Sequence, residues 1–143
     1  MLHCYDHPVW REFGGKLLRH VGDRYKDRPN LLVWGLWDGV SPISSGSEGL
    51  PCYCPHSLAA YKDWLQARFS LAQFNERASR RYHKWDDVEP PRHQHNIVEM
   101  LLFKRFVYEN LVDKLKWMVA ETRALDPDHE IRAHGVVTPQ PWN

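Results

Sequence analysis

Apolar residues at Val9, Phe13, Leu17, Val21 and Tyr25 recur every fourth position, with Trp10 and Leu18 widening the row. This spacing predicts an amphipathic helix over residues 9–26, expected to lie on the outside of the strand that follows. The period then changes. Leu31 to Val40 is a short run rich in Leu, Val and Trp, set between Asp27-Arg28-Pro29-Asn30 and a Ser/Gly/Pro-rich stretch. It reads as a strand apolar on both faces, which suits a parallel sheet covered on both sides. Residues 41–51 hold four Ser, two Gly and two Pro and read as a loop.

Helical spacing returns at Leu58, Tyr61, Leu65 and Phe69, with Ser57 as the expected N-cap. Ser70-Leu71-Ala72-Gln73 has the form of a capping box and predicts a third, short helix. Residues 83–95, with Pro90-Pro91 and several His, read as an irregular crossing. Asn96, followed by Glu99 three places on, opens the longest helix. Its apolar row runs Ile97, Met100, Leu101, Val107, Leu111, Leu115, Met118 and Val119, broken by Lys104, to about Arg123. Asp126-Pro127-Asp128 ends it, because proline lacks a donor and disfavours helix at the residue before it. Ile131 to Val137 predicts a second strand. The order helix, strand, loop, helices, strand is that of an α/β fold, helix-rich, with two parallel strands far apart in sequence.

Composition narrows the function classes. Nineteen basic residues stand against 18 acidic ones, so no charge excess points to nucleic acid or an anionic membrane. Neither a membrane-length apolar run nor a signal-peptide pattern is present, and a soluble cytoplasmic protein is the expectation. Three cysteines do not make a disulfide framework; they fit a reducing compartment or a metal.

Six segments carry a resemblance, in one order. They are His3-Cys4 with Pro8-Val9-Trp10-Arg11; Arg24-Tyr25 to Pro29-Asn30; Leu31 to Val40; Cys52-Tyr53-Cys54 with Tyr61-Lys62-Asp63-Trp64-Leu65; Leu71 to Asn75; and Trp85-Asp86-Asp87-Val88-Glu89-Pro90-Pro91. Together they resemble the retaining β-galactosidases of glycoside hydrolase family 42. The resemblance implies a partial (β/α)8 TIM barrel. Residues 1–143 would run from the end of strand three to strand five, without the N-terminal strands and the C-terminal half. A complete barrel takes roughly 250 residues. It also implies hydrolysis of O-glycosidic bonds in carbohydrate metabolism, on a β-galactoside-type carbohydrate.

Retaining glycosidases need two carboxyl groups about 5–5.5 Å apart, one as acid/base and one as nucleophile. By resemblance the acid/base falls at Gly39 and its neighbouring Asn at Asp38, while the nucleophile lies after strand seven. Glycine has no proton to give. Asp38 and Glu48 are the nearest carboxylates that could substitute; Asp38 as a turn residue and Glu48 as a solvated one are the expectation. The isolated chain is therefore expected to be inactive.

For a metal, the family's zinc site takes one Cys from the earlier loop and three from Cys-x-Cys-x-x-Cys. By resemblance Cys4 approaches Cys52 and Cys54, and Ser57 stands where the last cysteine would be. His56 or His7 could complete a three-Cys, one-His set around a structural zinc, against small thiols packing the same loop. His93 and His95 read as surface histidines. Trp37 and Trp142 are the candidates for stacking on a sugar ring, Trp34 could serve either purpose, and Trp10, Trp64 and Trp117 belong on helical apolar rows. A non-catalytic half-barrel remnant, with a structural zinc or a sugar-binding role, is the alternative to a glycosidase segment. Either way, unpaired strand edges and uncovered apolar surface predict self-association or a need for the missing barrel half.

Overall fold

Two strands, β1 (Val33–Val40) and β2 (Glu130–Val136), pair in parallel, as their patterns predict. The computed structural model describes residues 4–40, 52–92 and 96–136. Glu48, His93, His95 and Trp142 lie outside them. Four α-helices accompany the strands: α1 (Pro8–Tyr25), α2 (Pro55–Gln66), α3 (Leu71–Ala78) and α4 (Ile97–Leu125), with a 3-10 turn at Trp85–Asp87. By internal contacts the chain forms two compact units, one of residues 1–51 with 111–143 and one of residues 52–110. No helix among the described residues is long and apolar enough to cross a membrane.

In the first unit, α1 begins with Pro8 in the first turn, where its missing N–H costs nothing, and the ring of His7 caps it by accepting from the Val9 amide. The helix meets the C-terminal part of α4 through its glycines. A Cβ on Gly14 would stand 3.2 Å from the Trp117 ring, and one on Gly22 would stand 3.0 Å from Leu125 Cδ1. The expected apolar row is the more exposed side: Val9, Phe13 and Leu17 are 47%, 70% and 58% exposed. The row follows the helical period correctly. What it missed is that close helix contact is made by small residues, which let the two backbones approach.

In the second unit the core is Tyr61, Leu65, Phe74, Ala78, Val88, Phe103 and Phe106. The capping box of α3 forms in full: Gln73 N–H donates to Ser70 Oγ, and Ser70 N–H donates to Gln73 Oε1. Ser79 closes α3 in the left-handed region (φ 51°), and the Arg80 amide returns to the Asn75 carbonyl, an ordinary helix stop made by a non-glycine residue.

Two expectations fail here. Cys54, not Ser57, is the N-cap of α2, because Pro55 is suited to the first helical position and starts the helix earlier; Ser57 lies inside the helix and is buried. In α4 the apolar row holds at Val107 and Leu111 and fails at its start. Ile97 and Leu101 are 65% and 57% exposed, whereas Phe103 and Phe106 are buried. Asn96 caps the helix through the Val98 and Glu99 amides, but the Glu99 carboxylate turns into the unit to meet Arg80 and Tyr82.

Candidate functional site

The C-terminal end of β1 is where a parallel α/β fold presents functional side chains. The register with β2 runs Val33↔Glu130, Trp34↔Ile131 and Gly35↔Arg132, then skips to Trp37↔Ala133 and Asp38↔His134. Leu36 is thus an extra residue. A bulge of this kind resets the alternation, so Trp34 and Trp37, which plain alternation would send to opposite faces, share one. Both are half-buried there. Trp37 lies edge-on to Tyr5 (centroids 5.0 Å, 70°) and 6.3 Å from Trp10, which in turn is 5.4 Å from Trp117. Burial raises the Tyr5 phenol above its ordinary value, consistent with a desolvated aromatic cluster. Asp38 follows Trp37 on the other face and is exposed. Gly39 lies next, within β1.

Of the metal candidates, Cys4 belongs to the first unit, and Cys52 and Cys54 belong to the second. Ser57 Oγ is 3.7 Å from Cys54 Sγ, an oxygen rather than a thiol beside that cysteine. His56 is an exposed residue in the first turn of α2, and His7 serves as the cap of α1.

At the opposite, N-terminal end of the strands, Asp126 is 4% exposed and organises the turn that ends α4. Its carboxylate accepts from Trp34 Nε1 (2.8 Å) and from the Asp128 and His129 amides, and lies 2.8 Å from the His129 ring. Burial alone would raise this carboxyl. The donors from Trp34, His129 and Asp128 outweigh it and hold the group well below the usual carboxylate range. Arg123 Nη1 donates to the carbonyls of the same turn, at Pro127 (2.6 Å) and His129 (2.9 Å). Asp126 was foreseen only as a helix stop; its tie to Trp34, 92 residues earlier in the chain, has no sequence signal. Nor has the ion pair of Asp6 with Lys114 (3.1 Å, side chains 8% and 12% exposed), which fastens the segment before α1 to α4.

The model of the glycoside hydrolase family 42 β-galactosidases matches residues 1–143, the whole chain. The chain belongs to this family. The β-galactosidase BgaB of Geobacillus sp. (strain Y412MC61) is 24% identical over 150 residues, covering 99% of the chain and 22% of the relative. The β-galactosidase Pbg of Clostridium perfringens is 32% identical over 96 residues, covering 62% of the chain and 13% of the relative. A crystal structure of the β-galactosidase from Bacillus circulans sp. alkalophilus superposes with a TM-score of 0.78 at 21% identity, over 91% of the chain and 20% of that protein. The chain thus spans 13–22% of the length of these β-galactosidases, and its helix-rich fold with two parallel strands is shared with the one from Bacillus circulans.

Proposed function

We propose that the chain is one part of the catalytic (β/α)8 barrel of a family 42 β-galactosidase, from the end of strand three to strand five, and that it does not turn over substrate alone. In a complete enzyme of this kind it would form one wall of a β-galactoside site. The observation that carries the proposal is the end of β1: the family match spans it, and its last positions read Asp38-Gly39-Val40. A retaining mechanism protonates the departing glycosidic oxygen with one carboxylic acid and attacks the anomeric carbon with a second. Gly39 offers no acid. Asp38 stands on the strand face opposite Trp37, one residue away from that position, and a misplaced acid loses most of its catalytic benefit. Trp37 has aromatic neighbours against it, at Tyr5 and Trp10, which favours packing over sugar stacking as its role.

The decisive assay uses a nitrophenyl β-galactoside. The purified chain is expected to give background hydrolysis only, and so is Gly39→Glu, because the nucleophile lies beyond strand five. Turnover by the unaltered chain would refute the inactive part of the proposal.

A second role rests on the match of the cysteines to the family's zinc pattern. Cys4, Cys52 and Cys54 would hold a structural zinc, with Ser57, an imidazole such as His56, or water in the fourth place. Zinc there would tie segments together rather than take part in the chemistry. One zinc per chain, lost in Cys52→Ser, is the expected result; metal-free protein of unchanged melting temperature would sink it.

A further inference from the structure

Cys52 and Cys54 flank a residue that the second unit holds firmly. The Tyr53 hydroxyl donates to the Pro91 carbonyl (2.8 Å), its ring packs against Phe103 (centroids 5.5 Å), and the Arg92 guanidinium lies 4.6 Å from the ring centroid. Cys54 is fixed from its other side. It is the N-cap of α2 in an extended conformation (φ −70°, ψ 162°), as Pro55 favours in the residue before it, and its carbonyl accepts from the Leu58 amide (3.0 Å). Both cysteine side chains therefore project from one short, anchored stretch, Cys54 half-buried and Cys52 exposed. Their sulfurs lie within 4.8 Å of each other.

That separation can be closed. A disulfide needs sulfurs about 2.05 Å apart and Cα atoms about 4.4–6.8 Å apart, and two residues of chain span at most about 7 Å. Rotation of the exposed Cys52 side chain about χ1 carries its sulfur up to about 3 Å, enough to reach Cys54 while Tyr53 stays in place. A ring closed over so short a span is near the limit of disulfide geometry. Bonds of that kind are strained, and an exposed, strained disulfide is readily opened again by a thiol. A solvent-reached thiol with a second thiol beside it is the arrangement of a redox-responsive cysteine and its resolving partner.

We propose that Cys52 and Cys54 form a reversible thiol–disulfide pair whose oxidant is a small disulfide of the glutathione type. The Cys52 thiolate attacks one sulfur of the oxidant, forms a mixed disulfide and releases one thiol. The Cys54 thiolate then attacks the Cys52 sulfur, forms the Cys52–Cys54 bond and releases the second. Two protons and two electrons pass from the cysteines to the oxidant, which leaves as two thiols, and a dithiol such as dithiothreitol reverses both steps. The ring and a metal are alternatives at these sulfurs, because sulfurs bonded to each other are no longer thiolate ligands. The exchange itself needs only the two thiols, so it stands apart from the zinc reading above.

The test treats the full chain with a chelator and then with glutathione disulfide, alkylates the remaining thiols, and maps the products by mass spectrometry. The expected product is a chain two hydrogens lighter, with residues 52 and 54 unalkylated in one peptide, Cys4 alkylated, and all three thiols recovered in dithiothreitol. Cys54→Ser should stop at the mixed disulfide on Cys52, and Cys4→Ser should leave ring closure unchanged. Closure in the urea-unfolded chain should be at least tenfold slower than in the folded one. Equal rates would show that the anchored stretch plays no part and would overturn the proposal. A bond from Cys4 to either cysteine, a disulfide-linked dimer, or mixed disulfides that persist at both positions would overturn it too. One zinc per reduced chain before chelation, with no ring formed afterwards, would keep the zinc reading and remove this one. A metal-free chain that closes the ring would do the reverse.

Discussion

The two units differ in how tightly their aromatic residues close on one another. In residues 52–110 the aromatic residues close on one another: Tyr61, Phe103 and Phe106 have ring centroids 5.0–6.1 Å apart and are each no more than 4% exposed. Several polar groups at the edge of this core are paired, although among the described residues the Tyr108 hydroxyl is buried without a partner, as Thr122 is in the other unit. Glu99, 3% exposed, accepts from Arg80 Nη2 and Nε (2.6 and 3.0 Å) and from the Tyr82 hydroxyl (2.9 Å). Trp64 donates to Glu109, which also holds Arg68, and the Arg68 guanidinium lies 4.2 Å from the Trp64 ring. In the other unit two of the residues with the clearest core spacing, Phe13 and Leu17, face outward, and Thr122 keeps an unpaired buried hydroxyl. Helical spacing alone therefore does not say whether a face is covered: Ile97 and Leu101 in residues 52–110, like Phe13 and Leu17 in the other unit, are more than half exposed.

The contrast can be broken or sharpened by substitution. Phe103→Ala removes a ring from the closed core and should cost about 3–5 kcal/mol in a urea unfolding experiment, since a large cavity cannot fully collapse. Glu99→Gln comes next. It leaves Arg80 and Tyr82 without their shared anion and should cost about 2 kcal/mol, less than a fully buried pair because the Arg80 side chain is 42% exposed.

A pH experiment tests the same cluster. Burial, together with the hydrogen bond and charge of Glu99, pushes the Tyr82 phenol up to about 12. An acid with a raised value in the fold stabilises the fold in its protonated form. The contribution is complete below about pH 10, the unfolded value, and is lost as pH rises from there through about 12. Stability measured across that range should fall less steeply in Tyr82→Phe than in the parent. The smallest effect belongs to the open unit: Phe13→Ser should change stability by no more than about 0.5 kcal/mol. A loss above about 1.5 kcal/mol would show that the α1 row is covered in solution, and the comparison would fail.

Much of the fold was legible because its signals are local. The capping box at Ser70 and Gln73, the Asn96 cap, the stop at Asp126-Pro127 and both strands depend on residues within a few positions of one another, and all appear within two residues of expectation. The start of α2 was misplaced by a competing local signal, Pro55 three residues ahead of its first expected helical position, Leu58. The site was less legible. Gly39 and the cysteines came from a pattern shared with a family, whereas Asp126 as the hub for Trp34 and His129 came from a contact that spans most of the chain.

By itself, the sequence determined helix and strand periods, their caps and stops, the family, and the lack of a carboxyl group at position 39, because these are properties of neighbouring residues or of the residue itself. Only the tertiary structure decided which face of α1 meets α4 and that the bulge at Leu36 brings Trp34 and Trp37 to one side. Periodicity specifies that a face is apolar. Which neighbour covers that face is set by packing and strand register, and these depend on residues that no local window contains.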